Sequence, residues 1–412
     1  MSRPRIFPAQ WQLACEVLGT VLREGRAADR LLQAAFRERR AMGGRDRARV
    51  TELVYGSLRD LRRLQRVAGR REPAALCAVH ALDAGMSDAE SLTRLGVADA
   101  AELAARLAQF DAAALTPAEA LNLPDAVYAA WDAAIGPGET RALAAALAQQ
   151  APVDLRVNAL KCTPGQAIEA LAAANVDAAP TPWAPLGLRL AGRAPLQQLA
   201  AFRDGWIEPQ DEGSQLLALL VGARPGERIA DWCAGAGGKT LALAAAMRDS
   251  GELWAIDIDA QRLQRLGPRL QRAGVGCVRA YTLDTVPDET TFDAVLVDAP
   301  CSATGTWRRQ PEARLKPLDV AALAAQQRQI LERAARHVRP GGRLVYGTCS
   351  LLDAENAAVV EAFLAGHPAF EPVDAGDVLA AQGVRFPGRY LQLWPHRHGT
   401  DGFFGAVLRR AV

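Results

Sequence analysis

Two cysteines, Cys301 in "DAPC" and Cys349 in "TCS", each follow an apolar run, and a third, Cys233, does the same in "DWCAGAGGKT". A thiolate placed at such a site can add to carbon-6 of a pyrimidine. The addition makes carbon-5 enamine-like and able to take a methyl group from a sulfonium donor, after which the carbon-5 proton and the thiolate must both leave. One cysteine suffices as nucleophile, and a second beside the base helps the departure. A carboxylic acid bonded to ring nitrogen 3 spreads the developing charge. Asp298 stands three residues before Cys301, with Pro300 fixing the turn between them. A lone cysteine after an apolar run is more often a packing residue; two in this context favour chemistry.

The methyl donor needs its own cradle. Residues 231–240 read as a strand end, a glycine-rich turn and a helix start, which together offer close backbone approach and free N–H donors. A Walker loop requires glycine where Cys233 stands, and the dinucleotide pattern requires it where Thr240 stands. What remains is the shorter turn of S-adenosylmethionine-dependent enzymes, with Asp257, at the end of the next strand, accepting the ribose hydroxyls. An ordinary glycine turn satisfies the same residues, and the sequence alone leaves that alternative open.

These residues need strands beneath them. From about 205 the chain alternates: "ERIADW", "ELWAIDI", "FDAVLVDAP" and "RLVYGTC" read as strands, "KTLALAAAM", "AQRLQRLGPRLQRAG", "AALAAQQRQILERAARHV" and "AENAAVVEAFLAGH" as helices, and "GFFGAVLRR" as a closing strand. This predicts a doubly wound, mostly parallel α/β sheet with its ligand crevice at the carboxyl ends of the strands, where the three cysteines fall. "VDLRVNALK", "TPGQAIEALAAANV" and "LGLRLAG" predict a small strand–helix–strand segment over 150–204. The first 140 residues read as helices: Leu13, Val17, Leu18, Val21 and Leu22 form one stripe, and Val50, Leu53, Val54, Leu58, Leu61 and Leu64 a second. "GGRD" supplies a break and an Asp cap before the second stripe, and "IGPGE" at 135–139 a boundary after the helices.

The 412 residues allow two or three domains, and no apolar run is long enough to cross a bilayer. The N-terminus "MSRPRIFPAQWQL" has no signal-peptide segment. Seven cysteines without a CxxC pair argue for a reducing, cytoplasmic setting and against a structural zinc site. Net charge is only +2, yet residues 1–72 hold 17 Arg against 8 acidic residues. Such a head suits a phosphate-bearing partner; with only three lysines in an alanine-rich chain, a biased composition and a solvated face explain it as well. Arg59, Arg63 and Arg66 share a helix face, and Trp307, Arg308 and Arg309 follow the Cys301 loop, where they stack on RNA or cap the next helix. His396 and His398 read as loop residues, not metal ligands, Cys277 as packing, Asp401 as pocket wall or turn, and Arg156 and Asn158 as structural or RNA-contacting.

Taken in order, "QDEGSQL", "DWCAGAGGKT", "AIDIDAQRL", "FDAVLVDAPCSATGTWRRQPE", "QRQILERAARHVRPGGRLVYGTCSLLDAEN" and "HGTDGFF" resemble the RNA cytosine-5 methyltransferases of the Sun (Fmu) type, the RsmB/NOP class, with most likeness to the bacterial branch acting on small-subunit ribosomal RNA. "LRVN" resembles that family's RNA-recognition-like insert, and "GGRDRARVTELVYGSLRDLRR" its NusB-like helical RNA-binding domain. The resemblance implies domains at 1–140, 150–204 and 205–412, the last a Rossmann-like class I methyltransferase. It implies S-adenosylmethionine contacts from Cys233, Ala234, Gly235, Ala236, Gly237, Gly238 and Lys239, and from Asp257, Asp284 and Asp298. Cys349 becomes the nucleophile, and Cys301 the partner that assists product release. The implied enzyme is a cytoplasmic monomer, with no metal, that methylates a cytidine in 16S ribosomal RNA. Transfer RNA is the rival substrate, and a non-catalytic RNA-binding assembly factor the rival class. Gly235 and Ala236 stand where the family has Ala-Pro, and Asp284 lacks the family's usual glycine context.

Overall fold

The computed structural model describes residues 6–412, so Arg3 and Arg5 of the basic head lie outside the described residues. The chain divides into two units. One comprises residues up to Gln150 together with Trp307–Pro317, and the other Ala151–Thr306 with Leu318–Val412.

The first unit is helical: α1 (Pro8–Glu24), α2 (Ala28–Glu38), α3 (Gly44–Arg59), α4 (Leu61–Ala68), α5 (Pro73–Asp83), α6 (Ala89–Arg94), α7 (Ala100–Gln109), α8 (Pro117–Ala120) and α9 (Asp125–Ala148). The stripe on α1 is buried at Leu13, Val17, Leu18 and Val21. The second stripe, expected as one helix, is two. Asp60 leaves helical geometry at φ −127° and separates α3 from α4. The cap also differs from expectation. Gly43 is the N-cap, and Asp46 sits inside the first turn, accepting the Gly43 N–H at 3.0 Å. "IGPGE" is no boundary but a kink within α9, where Gly136 turns to φ +79° and Pro137 restarts the helix without needing an N–H partner.

The second unit opens with a small antiparallel sheet. Its elements are β1 (Asp154–Val157), α10 (Pro164–Ala173), β2 (Ala178–Pro180), β3 (Gly187–Leu190), α11 (Ala200–Arg203) and β4 (Ile207–Pro209), with strand order β2-β3-β1-β4. Thr163 caps α10 as expected, accepting the Gln166 N–H.

The larger sheet follows: α12 (Glu212–Leu219), β5 (Arg228–Asp231), α13 (Gly238–Ala246), β6 (Glu252–Asp257), α14 (Ala260–Gln264), α15 (Leu266–Ala273), β7 (Val278–Thr282), β8 (Phe292–Asp298), α16 (Val320–Arg336), β9 (Val338–Thr348), α17 (Ala357–Gly366), β10 (Phe370–Val373), α18 (Ala375–Ala380), β11 (Leu391–Leu393), α19 (Pro395–His398) and β12 (Phe403–Arg410). Its order is β7-β6-β5-β8-β9-β12-β10, with β11 also paired to β12. The first five are parallel, and β12 runs against β9. This is the doubly wound Rossmann-like sheet expected. Alternate residues feed opposite layers: Ile229, Leu253, Leu296 and Val345 pack with α12 and α13, while Ala230, Trp254, Val295 and Tyr346 pack with α16 and α17. The chain runs outward from β5 through β6 to β7 and then returns to β8 on the other side of β5. A crevice opens at that reversal, at the carboxyl ends of the strands.

Candidate active site

The turn after β5 is shaped by two glycines and a hydrogen bond to the next strand. Gly235 takes φ +56° and donates its N–H to Asp257 Oδ2 at 2.8 Å, tying the turn to the tip of β6. Gly237 takes φ +83°, and a Cβ there would lie 2.1 Å from Leu266 Cδ1. Thr240 in α13 donates to Asp231 Oδ2 at 2.7 Å. Burial pushes the Asp231 carboxyl up to about 7, its bond from Thr240 opposing that shift. The helix head, the two glycines and the open space beside Gly235 fit S-adenosylmethionine: N–H donors face a carboxylate-bearing ligand, and nothing closer than 4.0 Å would meet a Cβ at 235. Asp257 also accepts the Asp259 N–H, and the next residue, Ile258, is 77% exposed. This exposed isoleucine stands between two aspartates, a feature the sequence reading did not single out.

Beyond the turn the two thiols meet. β8 and β9 are parallel neighbours with Asp298 opposite Gly347, so the residues just past their ends share one site. Cys301 Sγ and Cys349 Sγ lie 3.4 Å apart. The bond to Cys349 and then burial push the Cys301 thiol well above its ordinary value, and either sulfur can donate in the bond between them. Lys239 reaches across from α13 to Asp298 Oδ2 at 2.6 Å. Burial disfavours its charge, but the Asp298 carboxylate outweighs that and raises it, and Cys349 adds to the attraction. The second oxygen of Asp298 has no hydrogen bond among the described residues, leaving it for a ligand.

A buried carboxylate that the sequence reading missed holds both cysteine loops. Glu355 is fully buried and accepts the Ser302 N–H at 2.9 Å, the Ser302 hydroxyl, the Ser350 hydroxyl and the Gln327 amide at 2.9 Å. Ser302 follows Cys301 and Ser350 follows Cys349, so one side chain fixes the neighbour of each sulfur. Asn356 adds to the clamp, accepting from Thr348 and donating to the Ser350 carbonyl. The only sequence signal was an acidic residue six positions past Cys349 in "SLLDAEN".

Other expected residues fall elsewhere. Cys233 lines the turn, and burial raises its thiol far above the thiolate range. Cys277 packs on the apolar layer, pushed up to about 12 by burial. Asp284 is exposed past the end of β7, where the Thr282 hydroxyl lowers its carboxyl. Trp307 is 1% exposed and packs on Trp131 at 5.8 Å between ring centroids, so it is not free to stack on a base. Arg63 is paired with Asp60 and Asp83, and Arg66 lies 3.9 Å from Glu119, which neutralises much of the expected cationic face. Arg156 is buried against Gln210, and Asn158 donates to the carbonyls of Gly205 and Ala273; both are structural. Asp401 is buried, its N–H bonded to Asp211. His398 bonds the Trp394 N–H. Among the described residues no three His, Cys, Asp or Glu gather as a metal site.

The sequence pattern of the 16S rRNA methyltransferase RsmB/F family matches residues 218–409, and that of the RsmF/B-like ferredoxin-like domain matches 123–197. The chain is 31% identical to the ribosomal RNA small subunit methyltransferase B of Erwinia tasmaniensis, over 96% of this chain and 97% of that one. It is 35% identical to a probable ribosomal RNA small subunit methyltransferase B of Synechocystis, over 71% of this chain and 68% of the other. Among solved structures, a methyltransferase homolog protein from Pyrococcus horikoshii superposes with a TM-score of 0.62 at 26% identity, covering 73% of this chain and all of that one.

Proposed function

Because this chain belongs to the RsmB/F family of 16S ribosomal RNA methyltransferases, we propose that its paired thiols transfer methylation chemistry onto carbon-5 of a cytidine in small-subunit ribosomal RNA. The chain is an S-adenosylmethionine-dependent RNA methyltransferase. The observation that carries the residue assignment is the 3.4 Å approach of Cys301 and Cys349 at neighbouring strand tips, beyond the glycine turn.

Cys349 Sγ adds to carbon-6, forming a C–S bond and pushing electron density to carbon-5. Asp298, held by Lys239 at one oxygen, acts as a carboxylic acid at the other and donates its proton to nitrogen 3, where it neutralises the negative charge that the addition develops. When bound, S-adenosylmethionine supplies an electrophilic methyl group. Gly235, Gly237 and the head of α13 would hold it, with Asp257 toward the ribose hydroxyls and Asp284 as a further contact. Solvent water then takes the carbon-5 proton, the electron pair of that C–H bond forms the carbon-5–carbon-6 double bond, the carbon-6–sulfur bond breaks, and its electron pair returns to Cys349. Cys301, whose sulfur lies 3.4 Å from that of Cys349, assists product release by hydrogen bonding to the departing sulfur. The base must leave its stack to reach the thiols, at a cost of a few kcal/mol offset by contacts elsewhere on the RNA. We place the enzyme in the cytoplasm as a monomer, and none of these steps calls for a metal.

Labelled cofactor and 16S RNA test the roles. Cys349→Ala is expected to lose both product and covalent adduct. Cys301→Ala is expected to accumulate a denaturation-resistant protein–RNA adduct. Full turnover by Cys349→Ala overturns the assignment.

A further inference from the structure

The helical unit contains an open cavity of about 340 Å³. Arg62, Arg71 and Arg314 line it, together with the start of α9 at Asp125, which is the only carboxylate in the lining. Arg62 already holds that carboxylate at 2.9 Å. Arg71 is exposed at the rim. Arg314 is the unusual member. It is 7% exposed, donates only to the carbonyls of Asn122 at 3.3 Å and Leu147 at 3.0 Å, and its Nε has no acceptor. No carboxylate pairs with it among the described residues.

A guanidinium buried without a counter-charge is costly unless an anion completes it. Burial and the nearby Arg59 charge lower Arg314 to about 10, and the Trp307 ring, 5.4 Å from its guanidinium carbon, supplies no full counter-charge. The lining has three cations to one anion, and its apolar members are leucines and prolines, with no aromatic ring for a base to stack on. The forked guanidinium matches phosphate oxygens, and the first turn of α9 adds the positive end of a helix dipole.

We propose that this cavity seats a backbone phosphate of the substrate RNA, with Arg314 as its buried anchor and Arg71 at its mouth. The proposal rests on the reading of the chain as an RNA methyltransferase. It adds a phosphate subsite, outside the methyltransferase unit, that fixes the RNA without reading its sequence.

The test measures binding of protein-free 16S RNA transcript to the full chain at several salt concentrations. Arg71→Glu and Arg314→Gln are each expected to weaken binding at least ~5-fold and to flatten the slope of log affinity against log salt by about 1, as for one lost phosphate contact. Cofactor affinity by calorimetry is expected to stay at the wild-type value. Arg71 is exposed, so its variant still reports if Arg314→Gln fails to fold. Wild-type affinity and slope in Arg71→Glu overturn the subsite. Inorganic phosphate or a nucleoside diphosphate binding here without competing against RNA also overturns it, since the source is then a small anion. Methyl transfer by the wild-type chain to the same transcript is scored separately. Transfer with unchanged variant affinities sinks only the subsite, whereas no transfer sinks the functional reading.

Discussion

In the proposed reaction the covalent bond forms at Cys349, yet the geometry of both sulfur atoms is set by neighbouring residues. Glu355 receives four hydrogen bonds in a fully buried place, and two of its donors are the immediate neighbours of Cys301 and Cys349. Replacing one carboxylate oxygen with an amide turns an acceptor into a donor facing donors, and the two loops must shift to relieve it. A displacement of about 1 Å at a reacting atom costs roughly 10²-fold in rate. Glu355→Gln is therefore expected to lower kcat by about 10–100-fold while the cofactor KM stays near wild type. Adduct trapping in the Cys301→Ala background is expected to slow in parallel. A variant that changed only cofactor KM would refute a positioning role. The two cysteines, Asp298 and Asp257 were legible in the sequence because their chemistry demands particular atoms at strand ends. Glu355 was not, because a buried acid inside "SLLDAEN" looks like surface until the fold closes over it.

Among the elements, the turn between β5 and α13 is the most constrained. Gly237 needs a left-handed φ of +83°, and any side chain there meets Leu266. Gly235 also lies in the left-handed region, where its N–H reaches Asp257, so glycine at this point avoids the strain that alanine would carry. Gly237→Ala combines two penalties, about 1 kcal/mol for the backbone and a methyl driven into a packed leucine. Calorimetric titration with S-adenosylmethionine is expected to show at least ~10-fold weaker binding, with the rest of the sheet still folded by circular dichroism. Wild-type affinity would mean the turn does not hold the cofactor. Strands β7, β10 and β11 were not read, whereas the central strands β5, β6, β8 and β9, the closing β12 and the helices between them were readable because buried parallel strands are short apolar runs separated by amphipathic helices. Their breaks were less so. The stripe from Val50 to Leu64 continues through Asp60, since an apolar period records which face is buried and not whether the axis bends.

At the scale of the whole chain, the segment Trp307–Pro317 leaves the methyltransferase unit six residues after Cys301 and becomes part of the helical unit. Sequence could not place it there. Its partners lie more than 150 residues upstream, and "TWRRQPE" carries no period that points to them. Within that unit it supplies side chains the helices lack. The Trp307 ring packs on Trp131, Glu312 accepts the Ala28 N–H at the head of α2 at 3.0 Å, and Arg314 ties the carbonyl of Leu147 near the end of α9. The helical unit is thus completed by a segment distant in sequence from its helices. Trp307→Ala in the full protein removes a fully buried indole, a change of about 3–5 kcal/mol for a core aromatic. Native-state hydrogen exchange is expected to show the loss in the amides of α9 and α2, while those of α13 and β8 keep their protection. Equal losses in both sets would mean that the two units unfold as one, and no loss in α9 would mean that the segment is dispensable to the helices.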